Sequence, residues 1–190
     1  MAIEQKQQSF ICLAGGRTEI SKPEERFVIE YSAAINGYGM SNKTFYFDPG
    51  FNMIVVTQPD VGYSKLFLAT LYVREMTTNL YRDTDTLHVG IGKTMLPSES
   101  SNQGLSEYET DVSGWPGYYE AGRGALGKSN DAVGSLSLTS IISVDSHPDV
   151  SNTLIFGWAQ TFQNDRKHET FLHKGVLESH LTLVQIEEAY

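Results

Sequence analysis

The sequence predicts an all-β protein built as an antiparallel sandwich or barrel. Three observations carry this: apolar residues recur at a period of two, helical periodicity is almost absent, and turn-type clusters separate the candidate strands at short, fairly even spacing.

Taken in order, Phe27–Ile35 (FVIEYSAAI), Asn52–Thr57 (NMIVVT) and Leu66–Arg74 (LFLATLYVR) read as strands apolar on both faces. Thr86–Ile91 alternates Leu87, Val89 and Ile91 against Thr86, His88 and Gly90. In Ser135–Val144 the apolar parity is Leu136, Leu138, Ile142 and Val144, interrupted by Ser140. Thr153–Phe162 places Leu154, Phe156, Trp158 and Phe162 on one face. His180–Ile186 sets Leu181 and Leu183 on one side, Val184 and Ile186 on the other. A strand apolar front and back needs two buried surfaces, the core and a second cover such as a subunit contact. Asp48-Pro49-Gly50, Pro59-Asp60-Val61-Gly62, Asp83-Thr84-Asp85 and Asp145-Ser146-His147-Pro148-Asp149 supply the turns. The best helix candidate is one turn at Pro23-Glu24-Glu25-Arg26. The segment 96–130 is rich in Ser, Gly and Asn, lacks an apolar run and reads as a long loop within a single domain spanning 1–190.

With 40% hydrophobic and 11% aromatic residues, the 190-residue chain is too apolar to be disordered and long enough for one core. Its net charge of −9 repels phosphate, and its basic clusters, Arg166-Lys167-His168 and His173-Lys174, are too short to form a stripe. Nucleic-acid binding and docking on an anionic membrane are therefore not expected. No run approaches ~18 apolar residues, so no membrane insertion is expected. The polar start, MAIEQKQQ, predicts no signal peptide, which leaves the sequon Asn42-Lys43-Thr44 unused. The single cysteine, Cys12, forms no intrachain disulfide and, between Ile11 and Leu13, reads as a buried thiol.

Gly122-Arg-Gly-Ala-Leu-Gly127-Lys128-Ser129 matches G-x-x-x-x-G-K-[ST] and contains G-x-G-x-x-G. A phosphate cradle needs a buried strand before the first glycine and a helix after the lysine. Turn-rich SGWPGYYE precedes it and a strand follows, so a nucleotide enzyme using Lys128 and Ser129 is the weakest reading. His168 and His173 lie at i, i+5, off the common face a zinc helix requires, although His180 could join them in space. Asp83 and Asp85 read as turn caps rather than cation ligands. No nucleophile turn is present. The sequence thus predicts no catalytic residue, no cofactor and no metal site. Trp115, Tyr118 and Tyr119 either stack on a sugar or anchor a partner protein, or fold back over the core as a lid.

The segments VGSLSLTSIISV (133–144), NTLIFGWAQTF (152–162) and SHLTLVQI (179–186), with VGYSKLFLATLYV (61–73) upstream, resemble the tumour-necrosis-factor and complement globular-head jelly rolls. The resemblance implies a jelly-roll sandwich that assembles as a homotrimer and binds rather than catalyses. One face of the doubly apolar strands would line the three-fold contact, with Tyr72, Val184 and Ile186 as its residues. Fold-level analogy then extends to a virion protein made in the host cytoplasm: a decoration, fibre, tail-tip or capsid component. Its partners would be itself, other virion proteins and a host surface glycan met by the aromatics of the long loop. A free carbohydrate-binding module is the alternative.

Overall fold

In a computed structural model of the chain, the structure describes residues 9–20, 26–36, 45–75, 86–97, 112–115, 117–127, 134–162 and 175–189. Among them are eleven strands: β1 (Phe10–Ile20), β2 (Phe27–Val28), β3 (Ala33–Asn36), β4 (Phe45–Asp48), β5 (Met53–Thr57), β6 (Ser64–Glu75), β7 (Thr86–Pro97), β8 (Tyr119–Gly127), β9 (Ser135–Asp145), β10 (Val150–Phe162) and β11 (Gly175–Ala189). One 3₁₀ turn, Val112–Gly114, precedes β8.

Two antiparallel sheets face each other. The five-stranded sheet runs β3-β1-β11-β6-β9, the six-stranded one β4-β5-β10-β7-β8 with β2 alongside β10. Alternation decides which side chains enter between them. Ile11 and Leu13 of β1, Phe67, Ala69, Leu71 and Val73 of β6, Ile142 and Val144 of β9, and Leu181 and Leu183 of β11 meet Ile54 and Val56 of β5, Leu87, Val89 and Ile91 of β7, and Ile155 and Ala159 of β10. The rings of Phe45 and Phe67 meet edge to face, with centroids 5.4 Å apart. The predicted all-β sandwich is what the chain forms.

Several details depart from the sequence reading. FVIEYSAAI is not one strand. Ile29 N donates to the Gly157 carbonyl (2.9 Å) beside the six-stranded sheet, and Ser32 N to the Ala14 carbonyl (3.2 Å) of the five-stranded sheet. The chain therefore crosses between sheets, burying Ile29 and Tyr31 on the way. Glu30 N on the Thr18 hydroxyl (2.7 Å) and Tyr31 N on Asn52 Oδ1 (2.9 Å) satisfy the crossing backbone. Cys12 is half-buried on the outer face, because Ile11 and Leu13 take the core positions of β1. The predicted turn at Asp48-Pro49-Gly50 forms, with Asp48 Oδ1 accepting from Gly50 N at 2.8 Å. The expected helical turn at 23–26 lies outside the described residues save Arg26, as do Asp83, Asp85, His168, His173 and the sequon.

The expected loop 96–130 is corrected at both ends. β7 runs to Pro97, and Tyr119–Gly127 is an edge strand paired with β7 from Lys93↔Tyr119 to Thr86↔Gly127, with one register shift between Ile91 and Gly92. Its glycines serve packing. A Cβ on Gly122 would collide with the Ser140 hydroxyl, and one on Gly124 with the Leu136 side chain of β9. Ser140, the break in the β9 pattern, donates to the Ala121 carbonyl at 2.8 Å, joining the edges of the two sheets. Residues 98–111 and 128–133 lie outside the described set.

Two lysines also bridge the sheets at one end. Lys65 Nζ of β6 donates to the Thr57 carbonyl (3.1 Å), and Lys93 Nζ of β7 to the Ser143 carbonyl of β9. Burial holds Lys93 below its ordinary value, with Asp145 opposing.

Candidate functional site

The second apolar face of the strands has two different fates. On the six-stranded sheet it is covered by the chain itself. Met53, Val55, Leu154, Phe156 and Trp158 point away from the core and are buried under Val112, Trp115 and Tyr118. The 3₁₀ turn and the residues after it form a strap, with Trp115 and Phe156 ring centroids 5.4 Å apart. For β5 and β10 no partner subunit is needed to explain the pattern.

Among the described residues nothing covers the outer face of the five-stranded sheet. Registers place Phe10, Val184, Leu68 and Ile141 in one line across β1, β11, β6 and β9. Such a line spans ~14 Å at the usual strand spacing. Ile141 is 66% exposed, Leu68 37% and Ile186 44%. The next line is Ile35, Cys12, Thr182, Thr70 and Thr139, with Ile35 61% exposed. Beyond it, Tyr72 lies against His180 at 5.9 Å. The three predicted interface residues, Tyr72, Val184 and Ile186, thus share this accessible face. Monomeric proteins seldom leave a connected apolar area of this kind in water.

The three predicted loop aromatics do not form a common surface. Trp115 is buried and Tyr118 half-buried within the strap, so these two follow the lid reading. Tyr119 is exposed and lies elsewhere: it opposes Lys93 in β7, whose ammonium sits 5.2 Å from its ring. A register shift in the β7–β8 ladder, between Ile91 and Gly92, separates Tyr119 from Arg123 on the outer face. A sugar would find Tyr119 alone.

A charged rim that the sequence did not announce surrounds the strap. The Arg26 guanidinium lies 4.5 Å over the Trp158 ring, donates to the Tyr118 hydroxyl at 2.8 Å and pairs with Glu120 at 3.0 Å. Its Nε donates to Gln160 Oε1 at 3.3 Å. Arg123 approaches Trp158 at 5.6 Å and donates to His88 Nδ1 from Nε (3.1 Å) and Nη2 (2.8 Å). A guanidinium has no acceptor, so Nδ1 is the unprotonated ring nitrogen. Burial, then the charges of Arg123 and Arg26, hold His88 below its ordinary value, while Glu120 opposes. Burial pushes the Tyr118 phenol up against the pull of Arg26. Of this cluster the sequence singled out Tyr118 among the loop aromatics and placed Trp158 and His88 in strand alternations; a lone arginine before a short strand carries no signal.

The glycine motif makes no phosphate cradle over Gly122–Gly127. That stretch is extended and in register with β7, whereas a cradle needs converging amides at a turn. Lys128 and Ser129 lie outside the described residues. Among the described residues no group of three His, Cys, Asp or Glu side chains is placed to hold a metal ion, and no helix is long and apolar enough to cross a membrane.

No known protein family and no curated protein matches this sequence. Among solved structures, the chain is similar to the structure of Eiger TNF from S. frugiperda, at 10% identity and a TM-score of 0.52, over 96% of this chain and 95% of that one. At that identity the likeness speaks for the fold alone, and the fold is a TNF-like jelly roll.

Proposed function

We propose that this chain is a non-enzymatic binding protein that assembles as a homotrimer through the outer face of its five-stranded sheet. The carrying observation is the line Phe10–Val184–Leu68–Ile141, flanked by Ile35, Ile186 and Tyr72, which the chain's own strap does not cover. Burying apolar surface is worth about 25 cal/mol per Å², so covering this face favours association. Three-fold closure is part of this proposal by analogy of fold, since the face itself sets no symmetry. Light scattering at micromolar concentration tests it. Three times the chain mass of 21.1 kDa is expected, and a stable 21.1 kDa species overturns it.

The biological setting we propose is a viral particle, with the trimer as a structural or attachment component: decoration, fibre, tail tip or capsid. Two observations support it. A single cysteine suits synthesis in a reducing cytoplasm, and the charge of −9 suits an outer surface rather than contact with a packaged genome. Mass spectrometry and antibody labelling of purified particles test the setting. The chain is expected at a fixed copy number divisible by three. Its absence from particles overturns the setting and leaves the trimer standing.

A further inference from the structure

We propose that His88 is the trigger of an acid-sensitive latch that holds β8 and the strap residues Val112, Trp115 and Tyr118 against the six-stranded sheet. His88 Nδ1 accepts two hydrogen bonds from the Arg123 guanidinium, and Arg123 is one of the outward side chains of β8. β8 is an edge strand that pairs on one side only, with β7, and its other tie is the bond from the Ser140 hydroxyl of β9 to the Ala121 carbonyl. The strap leads directly into β8 and is moored by Arg26 through Tyr118, Glu120 and a backbone bond from Val112 N to the Arg26 carbonyl (3.3 Å).

The charged and titratable groups facing His88 are Arg123 and Glu120 from β8 and Arg26 from the segment before β2. Its cross-strand neighbour on β10 is the uncharged Gln160. Proton uptake turns Nδ1 from acceptor to donor and ends both bonds to Arg123. It also sets a third cation beside the Arg123 guanidinium and the Arg26–Glu120 ion pair. The cost is relieved when β8 swings out, carrying Arg123 away and uncovering Trp158. In the closed state burial and the two guanidiniums keep the imidazole neutral. The closed form is therefore fully favoured above about 6.5, the value of a free histidine, and loses ground as pH falls below it. A histidine is the side chain whose charge changes in this range.

The two tryptophans, Trp115 and Trp158, are both buried by the latch and report on it directly. The full chain is titrated from pH 7.5 to pH 5, above the usual carboxylate range of about 4. Tryptophan emission and light scattering are read on the same samples, so that opening of the latch and loss of assembly are separated. A reversible red shift with a midpoint below 6.5 is expected, and it should vanish in His88→Asn, whose amide oxygen accepts from Arg123 without titrating. An unchanged emission in the natural chain, or the same shift in His88→Asn, overturns the latch. Should His88→Asn fail to fold, NMR titration of the His88 ring in the natural chain decides: its midpoint must coincide with that of the emission change, and separate midpoints overturn it.

Discussion

The indole of Trp158 lies in the space that Gly90 leaves empty. The two residues oppose each other in the β10–β7 ladder, and a Cβ on Gly90 would collide with the six-membered part of the ring. The Gly122 carbonyl oxygen stands 2.6 Å from the same point, so neither side can yield cheaply. Because Trp158 lies flat across β7, Arg26 and Arg123 both reach its ring.

Gly90→Ala therefore forces the ring or the β7–β8 pairing to move. We expect a loss of about 2 kcal/mol or more, the scale of overpacking a filled site. Urea unfolding should show a lower midpoint at unchanged slope. A midpoint equal to that of the natural chain would show that the indole is not held there.

Val184→Asp combined with Leu68→Asp places two carboxylates in the middle of the open apolar line, outside the core. The expected result is a chain that sediments at 21.1 kDa with an unaltered far-ultraviolet spectrum. An intact trimer in the double variant would move the self-contact to another surface.

Tyr31 predicts an alkaline limb in stability. Burial pushes its phenol far above the ordinary value of 10.0; the Ser179 hydroxyl beside it offsets a little of this, although the pair falls short of hydrogen-bond geometry. The folded chain keeps this proton while the unfolded chain releases it, so stability falls as pH rises above 10.0. Each pH unit costs about 1.4 kcal/mol from this residue. Tyr31→Phe should remove that share of the slope and leave stability at pH 7 nearly unchanged, as denaturant unfolding at pH 9, 10 and 11 would show.

Arg26→Ala removes the mooring of the strap. The lost ring contact and the bonds to Tyr118 and Glu120 should cost about 2 kcal/mol, the side chain being partly exposed. Chymotrypsin should then cut after Tyr118 in the variant while sparing it in the natural chain. Equal resistance would mean that Trp115 alone holds the strap.

The strands that were legible in the sequence are those whose two faces differ, or whose apolar run is long. β7, β9 and β10 showed their alternation, and the interrupting Ser140 proved to be the link to β8. β8 escaped because two of its core-facing positions, Gly122 and Gly124, are glycines packed closely against β9, and glycine carries no hydropathy pattern. FVIEYSAAI misled for the opposite reason. Its apolar residues serve three different places: Phe27 and Val28 pair with β10, Ile29 and Tyr31 are buried where the chain crosses between the sheets, and Ala33–Ile35 join β3, so a crossing segment looks like one buried strand. The rim of Arg26, His88, Glu120 and Arg123 draws on three separate places in the chain, a juxtaposition that no local pattern encodes.

By itself the sequence determined the class of fold, because period-two alternation is a property of each strand taken alone. It also determined that some strands carry apolar residues front and back. What covers those second faces was decided only by the tertiary structure. Covering depends on which distant segment returns to lie on a sheet: Val112, Trp115 and Tyr118 come back over β5 and β10, and nothing in the described chain comes back over β6 and β11. The same amino-acid pattern is thus a packed interior in one sheet and an open apolar face in the other.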